Sequence, residues 1–511
     1  MFNITRRSLL IGASLSALAF GTLPALAVND TVRIGMDVDS VSLDPRTARN
    51  TTDYRVLDLV YDGLVRMNSE LVPQPNLATK WEQVDPTTLV VTLREGVTFH
   101  DGTPLTAADV VFTYTTILDP KLASNAASLF APIDSVEATA PNQVTFKLKH
   151  PYAPLLSYLD VGITPKHAVE AGHDLSGNPI GTGPYKFVRW NRGSEIVLEA
   201  NPNYRDGAPG TGEIAFVTLG DNTARAQALE AGDLDMIMTP LSPDDVERLA
   251  DDERFTHTKL PGLTITYLNF NTASPVLSDP QLRHALGMLV DQEVIVEQIY
   301  GGLDIPGTSV LLPTSAWSYT DTIRQPSFDM EAAAKALADL GWTKGGDGIL
   351  QKDGTKLSIT LSTNSEDSAR IQTIEYIQNV MQQVGVDAKI EIADFPAWIA
   401  NVRSGKYDIA LLSWVNLVDP DRGTYSQLTS DGALNWGKYS NLQVDAALEL
   451  GRSATDQQTR VEAYREAASI IAEEVPYYII SYTGFDAFAQ ETVEGGRPDD
   501  ARGYVRGLMA Q

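Results

Sequence analysis

The sequence predicts an α/β protein built from more than one domain. Its 511 residues exceed what one hydrophobic core ordinarily serves, so two or three domains are expected at about 150 residues each. Apolar residues make up 43% of the chain, and no internal repeat, low-complexity tract or long Gly/Ser or Pro linker keeps domains apart. Residues 371–412 alternate between helical and extended hydrophobic periods, the pattern of an α/β unit with its own sheet.

The elements follow in order. Val32, Ile34 and Met36 alternate with polar residues as in a half-buried strand. Short strand-like runs fill 69–99, among them 89–93, before a tight turn at Asp101-Gly102. Thr106 and Asp109 form a capping box that opens a helix with Val110, Val111, Tyr114 and Ile117 on one stripe. A hairpin is predicted from 185–190 to 196–198 across the turn 191–194. A helix at 224–231 stops at Gly232. Ile371, Ile374, Ile377, Met381 and Val384 recur at three and four and end at Gly385. A strand at 386–392, a short helix at 396–402, a buried strand at 407–412 and an amphipathic helix at 462–474 come next, and 485–505 reads as strand and loop.

The N-terminus reads as an export signal. Arg6 and Arg7 precede an apolar stretch from Leu9 to about Phe20, then Ala25-Leu26-Ala27, with cleavage expected after Ala27. The pair of arginines resembles a twin-arginine signal. The sequence contains no cysteine, which excludes a disulfide, a thiolate metal site, a cysteine nucleophile and an acylated anchor. Beyond the signal no run of about 18 apolar residues occurs, so no membrane insertion is expected. These features together point to a periplasm. Removing 1–27 takes away two arginines and no acid, moving the net charge from −27 to −29. Such acidity disfavours polyanions, so no nucleic-acid partner is expected.

Enzymatic signatures are missing. His100, His150, His167, His173, His257 and His284 are scattered without metal-ligand spacing, and no metal site or cofactor is expected. No phosphate-cradling loop, dinucleotide fingerprint or nucleophile elbow is present. The acid pairs Asp244-Asp245, Asp251-Asp252 and Asp499-Asp500 fall in turn-like polar segments, where solvated surface is the default, so no catalytic residue is assigned.

Several blocks are distinctive: residues 77–82 (LATKWE), 93–112 (LREGVTFHDGTPLTAADVVF), 181–185 (GTGPY), 201–204 (NPNY), 268–272 (LNFNT), 345–348 (GGDG) and 419–421 (DPD). In this order they resemble the peptide/nickel (family 5) extracellular solute-binding proteins of ABC importers, across nearly the whole mature chain. The resemblance implies an α/β, two-lobed periplasmic-binding-protein fold, class II-like and of cluster C. Lobe I is expected at 28–270 with an inserted subdomain at about 60–175, lobe II at 271–485, and a C-terminal return to lobe I at 486–511. It implies a monomer that is not an enzyme, captures a peptide or peptide-like solute by hinge closure and delivers it to ABC transporter permease subunits. An opine, an oligosaccharide or a metal chelate is the alternative cargo within the family. Outside it stand an exported hydrolase using paired carboxylates and a sensory or chaperone binding protein.

The blocks themselves are read as structural, and neither His100 nor Asp101 is assigned to ligand. The resemblance places ligand-facing residues at Arg49, Asn50, Thr51 and Thr52, and at Ser413, Trp414, Val415, Asn416 and Leu417. Trp414 offers a flat apolar wall. Dipeptide-binding members carry an aspartate where this chain has Leu417 and an arginine where it has Asn364, so both charge anchors are missing. A buried unpaired ammonium or carboxylate costs several kcal/mol, so a short zwitterionic peptide is disfavoured unless Arg49, Asp419 or another charge substitutes.

Overall fold

The computed structural model describes residues 31–511 except Asn416, Gly496, Arg497, Asp499, Asp500, Ala501, Ala510 and Gln511. The export signal expected at 1–27 and the acid pair Asp499-Asp500 lie outside the described residues. Among the described residues no helix is long and apolar enough to cross a membrane.

An eleven-stranded sheet organises the chain. On one side Asp387–Ala393, Ser358–Asn364 and Ile409–Trp414 run parallel. On the other, Met236–Ile237, Thr31–Met36 and Glu213–Thr218 run parallel, extended by the antiparallel strands Glu195–Ala200 and Tyr185–Asn191. Two long antiparallel strands, Phe255–Phe270 and Tyr477–Gln490, join the two sides. Their register shifts between Pro261 and Ile265, opposite Gly484 and Tyr482. A Cβ on Gly262 would lie 2.1 Å from the Thr483 carbonyl oxygen and one on Gly484 1.8 Å from that of Leu303. Only glycine admits so close a backbone approach at a strand irregularity. The sequence reading did not anticipate the strand at 255–270.

Packing follows from the periodicities. Helix Ser368–Val384 ends at Gly385, whose φ of 102° needs glycine. It buries Ile374, Ile377 and Met381 fully against one face of the sheet, beside Leu361 and Leu411, each contributing roughly 1.5–3 kcal/mol. Helices Phe395–Arg403, Leu442–Ser453 and Gln457–Glu474 cover the opposite face through Trp398, Leu448 and Tyr464. The last of these helices begins five residues before the expected 462, because Asp456 accepts from the Thr459 backbone N–H and caps it there.

A separate four-stranded sheet of Ala78–Asp85, Thr88–Leu93, Gln143–Leu148 and Ile133–Ala140 carries its own core. Helix Ala107–Leu118 packs on it with the expected stripe, and Tyr114 meets Phe130 and Phe146 edge-on at 5.2 Å. The His-Asp-Gly and Gly-Thr-Gly blocks interlock. His100 donates from its backbone to Gly181, accepts the Gly181 N–H at Nδ1 (3.3 Å) and donates from Nε2 to Gly183 (3.0 Å). Burial pushes this imidazole down to about 4, so it stays neutral. A Cβ on Gly181 would lie 1.9 Å from the Val60 carbonyl oxygen, which explains that glycine.

Candidate ligand-binding site

Crevices of open α/β sheets open at the carboxyl ends of parallel strands, where loops leave the sheet. Here those ends lead into residues 37–50, 364–367, 393–395 and 414–419. Large exposed apolar side chains gather on the same loops: Val38 and Val41 after the first strand, Ile392 and Phe395 at the end of another, and Val415 after Trp414. Such an apolar rim at strand ends suits a binding cleft.

The first side is a self-contained loop. Asp53 is fully buried, and its carboxylate accepts the backbone N–H groups of Val41 (2.8 Å), Ser42 (3.5 Å), Arg49 (2.8 Å) and Asn50 (3.3 Å). Asn50 caps helix Thr51–Val60, accepting from the Asp53 N–H and donating to the Asp39 carbonyl. Thr52 donates to the Val38 carbonyl at 3.0 Å. Asn50 and Thr52 therefore hold the loop's shape, while the side chains of Arg49 and Thr51 are exposed. Tyr54 follows on the same helix; burial raises its phenol pKa, and the Arg422 cation from the second side lowers it. The two sides thus lie within electrostatic reach of one another.

On the second side the expected residues divide. Ser413 and Trp414 are half-buried at the strand end, Trp414 tilted against Trp436 at 5.4 Å, and Val415 is 61% exposed. Asn416 lies outside the described residues. Leu417 is 3% exposed, donates its N–H to the Leu263 carbonyl and packs on Gly423. Asp419 is 1% exposed; it caps helix Pro420–Leu428, receives the Arg460 guanidinium on both oxygens at 2.9 Å and the Ser157 hydroxyl at 3.3 Å. Those contacts occupy its carboxylate, so as a substitute charge anchor it has little left to offer.

The sequence reading missed Arg370. Its guanidinium donates to Asn364 Oδ1 (3.0 Å) and to Ser413 Oγ (2.8 Å), and Ser413 in turn shares a hydrogen bond with Thr266 at 3.0 Å. Asn364 also donates to Glu366. One cation therefore bridges the ends of two parallel strands, beside Asn364. A signal was present: Arg370 sits in the first turn of helix Ser368–Val384, where the helix dipole disfavours a cation. Its Nε also lies 3.4 Å from the Asp367 carboxylate, which leaves the other N–H of each terminal nitrogen to meet a carboxylate.

Comparison with known proteins identifies the family and the fold. Residues 72–435 match the family described as bacterial extracellular solute-binding proteins, family 5 middle. The chain is similar to protein XP55 of Streptomyces lividans, 32% identical over 83% of this chain and 78% of that protein. It is also similar to the oligopeptide-binding protein AppA of Bacillus subtilis, 30% identical over 86% and 83%. Among solved structures, AppA from Bacillus subtilis in complex with a nonapeptide aligns over 94% of this chain and 98% of its own at 26% identity, with a TM-score of 0.73. NikZ from Campylobacter jejuni in complex with Ni(L-His) aligns over 90% and 94% at 26% identity, also with a TM-score of 0.73. The fold is the two-lobed one these proteins share.

Proposed function

Because the chain belongs to the family 5 bacterial extracellular solute-binding proteins, we propose that it is the exported, periplasmic binding component of an ABC importer. It encloses a carboxylate-bearing, peptide-like solute between its lobes and delivers it to the permease subunits. Residues 1–27 serve as the export signal in this reading. We shift the lobe boundaries from the expected 270/271 and 485/486 to inside the two long strands, with lobe I at 31–261 and from 485 onward and lobe II at 265–482. The register shift at 261–265 and the glycine contacts at 262 and 484 support that division.

The observation that carries the substrate class is Arg370, a cation tied to Asn364 and Ser413 at the carboxyl ends of two strands. It brings a cation, paired through Nε with the half-exposed Asp367, to the strand ends where Asn364 offers a solute carboxylate no charge. The apolar residues Val38, Val41, Phe395 and Val415 and the paired rings of Trp414 and Trp436 provide walls for the rest of a solute. Closure of the lobes excludes water and strengthens each polar contact.

Native mass spectrometry of the mature protein isolated from its own periplasm tests this reading. A released peptide or peptide-like species with a free carboxylate is the expected result. A neutral oligosaccharide would overturn the substrate class while leaving the transport role standing.

A further inference from the structure

The two long strands are not the sole link between the regions assigned above to lobe I and lobe II. Residues 152–157 of the small four-stranded unit, in lobe I, meet residues 417–421 and Arg452, in lobe II. Ala153 donates its N–H to the Arg452 carbonyl at 2.8 Å, and Ser157 Oγ reaches Asp419. The Arg452 guanidinium lies 3.2 Å over the Tyr425 ring and 5.5 Å from the Tyr152 ring, and it forks onto both oxygens of Asp421 at 2.8 Å. Val418 and Leu263 are buried in the apolar core of the small unit.

This junction has the make-up of a permanent contact. Separating it would expose Val418, Leu263 and Tyr152 to water and break the Ala153–Arg452 and Ser157–Asp419 hydrogen bonds. Each of those changes is unfavourable. We propose that the contact of 152–157 with 417–421 and Arg452 is a non-covalent pivot, closed with or without solute. The lobes then turn about the strands near Gly262 and Gly484, this junction, and residues 301–303, where Lys259 Nζ donates to the Gly302 carbonyl at 2.7 Å and Leu303 packs against the core of lobe I. One consequence concerns the cleft. The loop carrying Val415 and Leu417 stays fixed to lobe I, and opening moves the edge formed by Asn364, Arg370 and Phe395 away from residues 38–54. The proposal rests on the two-lobe division above but not on the identity of the solute.

Amide hydrogen exchange on the full-length mature protein without solute tests it. A pivot keeps peptides spanning 150–158 protected to within about tenfold of those spanning 265–269 in the long strand. Exchange at the rate of an open loop in the solute-free protein would overturn the proposal, since the contact would then form only on closure. A second measurement uses the absence of cysteine. Spin labels at Val188→Cys and Lys335→Cys, both exposed and one on each lobe, report the interlobe distance. The double variant Tyr152→Ala with Ser157→Ala is expected to broaden that distribution in the solute-free protein. An unchanged distribution in a folded variant would contradict the pivot.

Discussion

The two rims of the cleft are built on opposite plans. The rim at 37–54 spends its polar side chains on itself: Asp53 gathers four backbone N–H groups, and Asn50, Thr52 and Asp39 bond within the loop or to its neighbours. What faces outward is mainly Val38, Val41, Tyr54 and Arg49. The rim at 364–415 instead links side chain to side chain, Arg370 to Asn364 and Ser413 and Ser413 to Thr266. Side-chain networks can trade one partner for a ligand atom at small cost, whereas a loop held by a buried carboxylate cannot. In the proposed function the first rim is thus a preformed wall, and the second carries selectivity.

The largest effect is expected from breaking the wall. Asp53→Ala strands four backbone donors and removes a capping box, costing roughly 4 kcal/mol. Chemical denaturation should show that loss, and solute binding should fall with it. A variant as stable as wild type would mean that the loop is held by something else.

Acid should weaken the same lobe. The unfolded chain protonates its histidine near 6.5, while native His100 resists until about 4. Stability is therefore full above 6.5 and falls as pH drops through that window. The gap corresponds to roughly 3 kcal/mol. In His100→Gln this component of the pH slope should vanish from denaturation curves taken between pH 4 and 7.

Asp304, at the crossing strands, has the reverse sign. It accepts from Ser481 Oγ (2.6 Å) and from the Gly484 N–H (3.1 Å), and burial raises its pKa above the ordinary 3.8, against those hydrogen bonds. The native state then holds this proton to higher pH than the unfolded chain, so the carboxyl lowers stability as pH rises through the window above 3.8. Asp304→Asn is expected to be about 1 kcal/mol more stable than wild type at pH 7, with the advantage shrinking in acid. A destabilised variant at pH 7 would show that the charged carboxylate is needed at the crossing.

The smallest effect sharpens the contrast between the rims. Arg49→Ala removes an exposed cation and should change stability by less than about 0.5 kcal/mol. A large loss of binding in that variant would move charge selectivity to the first rim.

Much of this was legible in the sequence. The helix at 368–384 announced itself through Ile374, Ile377, Met381 and the stop at Gly385, and the capping box at Thr106 and Asp109 formed as read. The strand at 255–270 did not, because Pro261 and Gly262 read as breakers and only the pairing with 477–490 makes them an irregularity within one strand. At the site, the family resemblance points to Asn364 as the anchor position. Arg370 lies one helical turn and a loop away, and folding brings it onto Asn364 at 3.0 Å. The commitments of Leu417 and Asp419 were equally hidden, since both depend on the distant residues Leu263 and Arg460.

Titration of the species released from the wild-type protein into wild type and Arg370→Gln tests the central claim most directly. The account predicts at least about tenfold weaker binding by the variant, equivalent to 1.4 kcal/mol or more, with an unchanged unfolding midpoint. Equal affinity in the two proteins would contradict it.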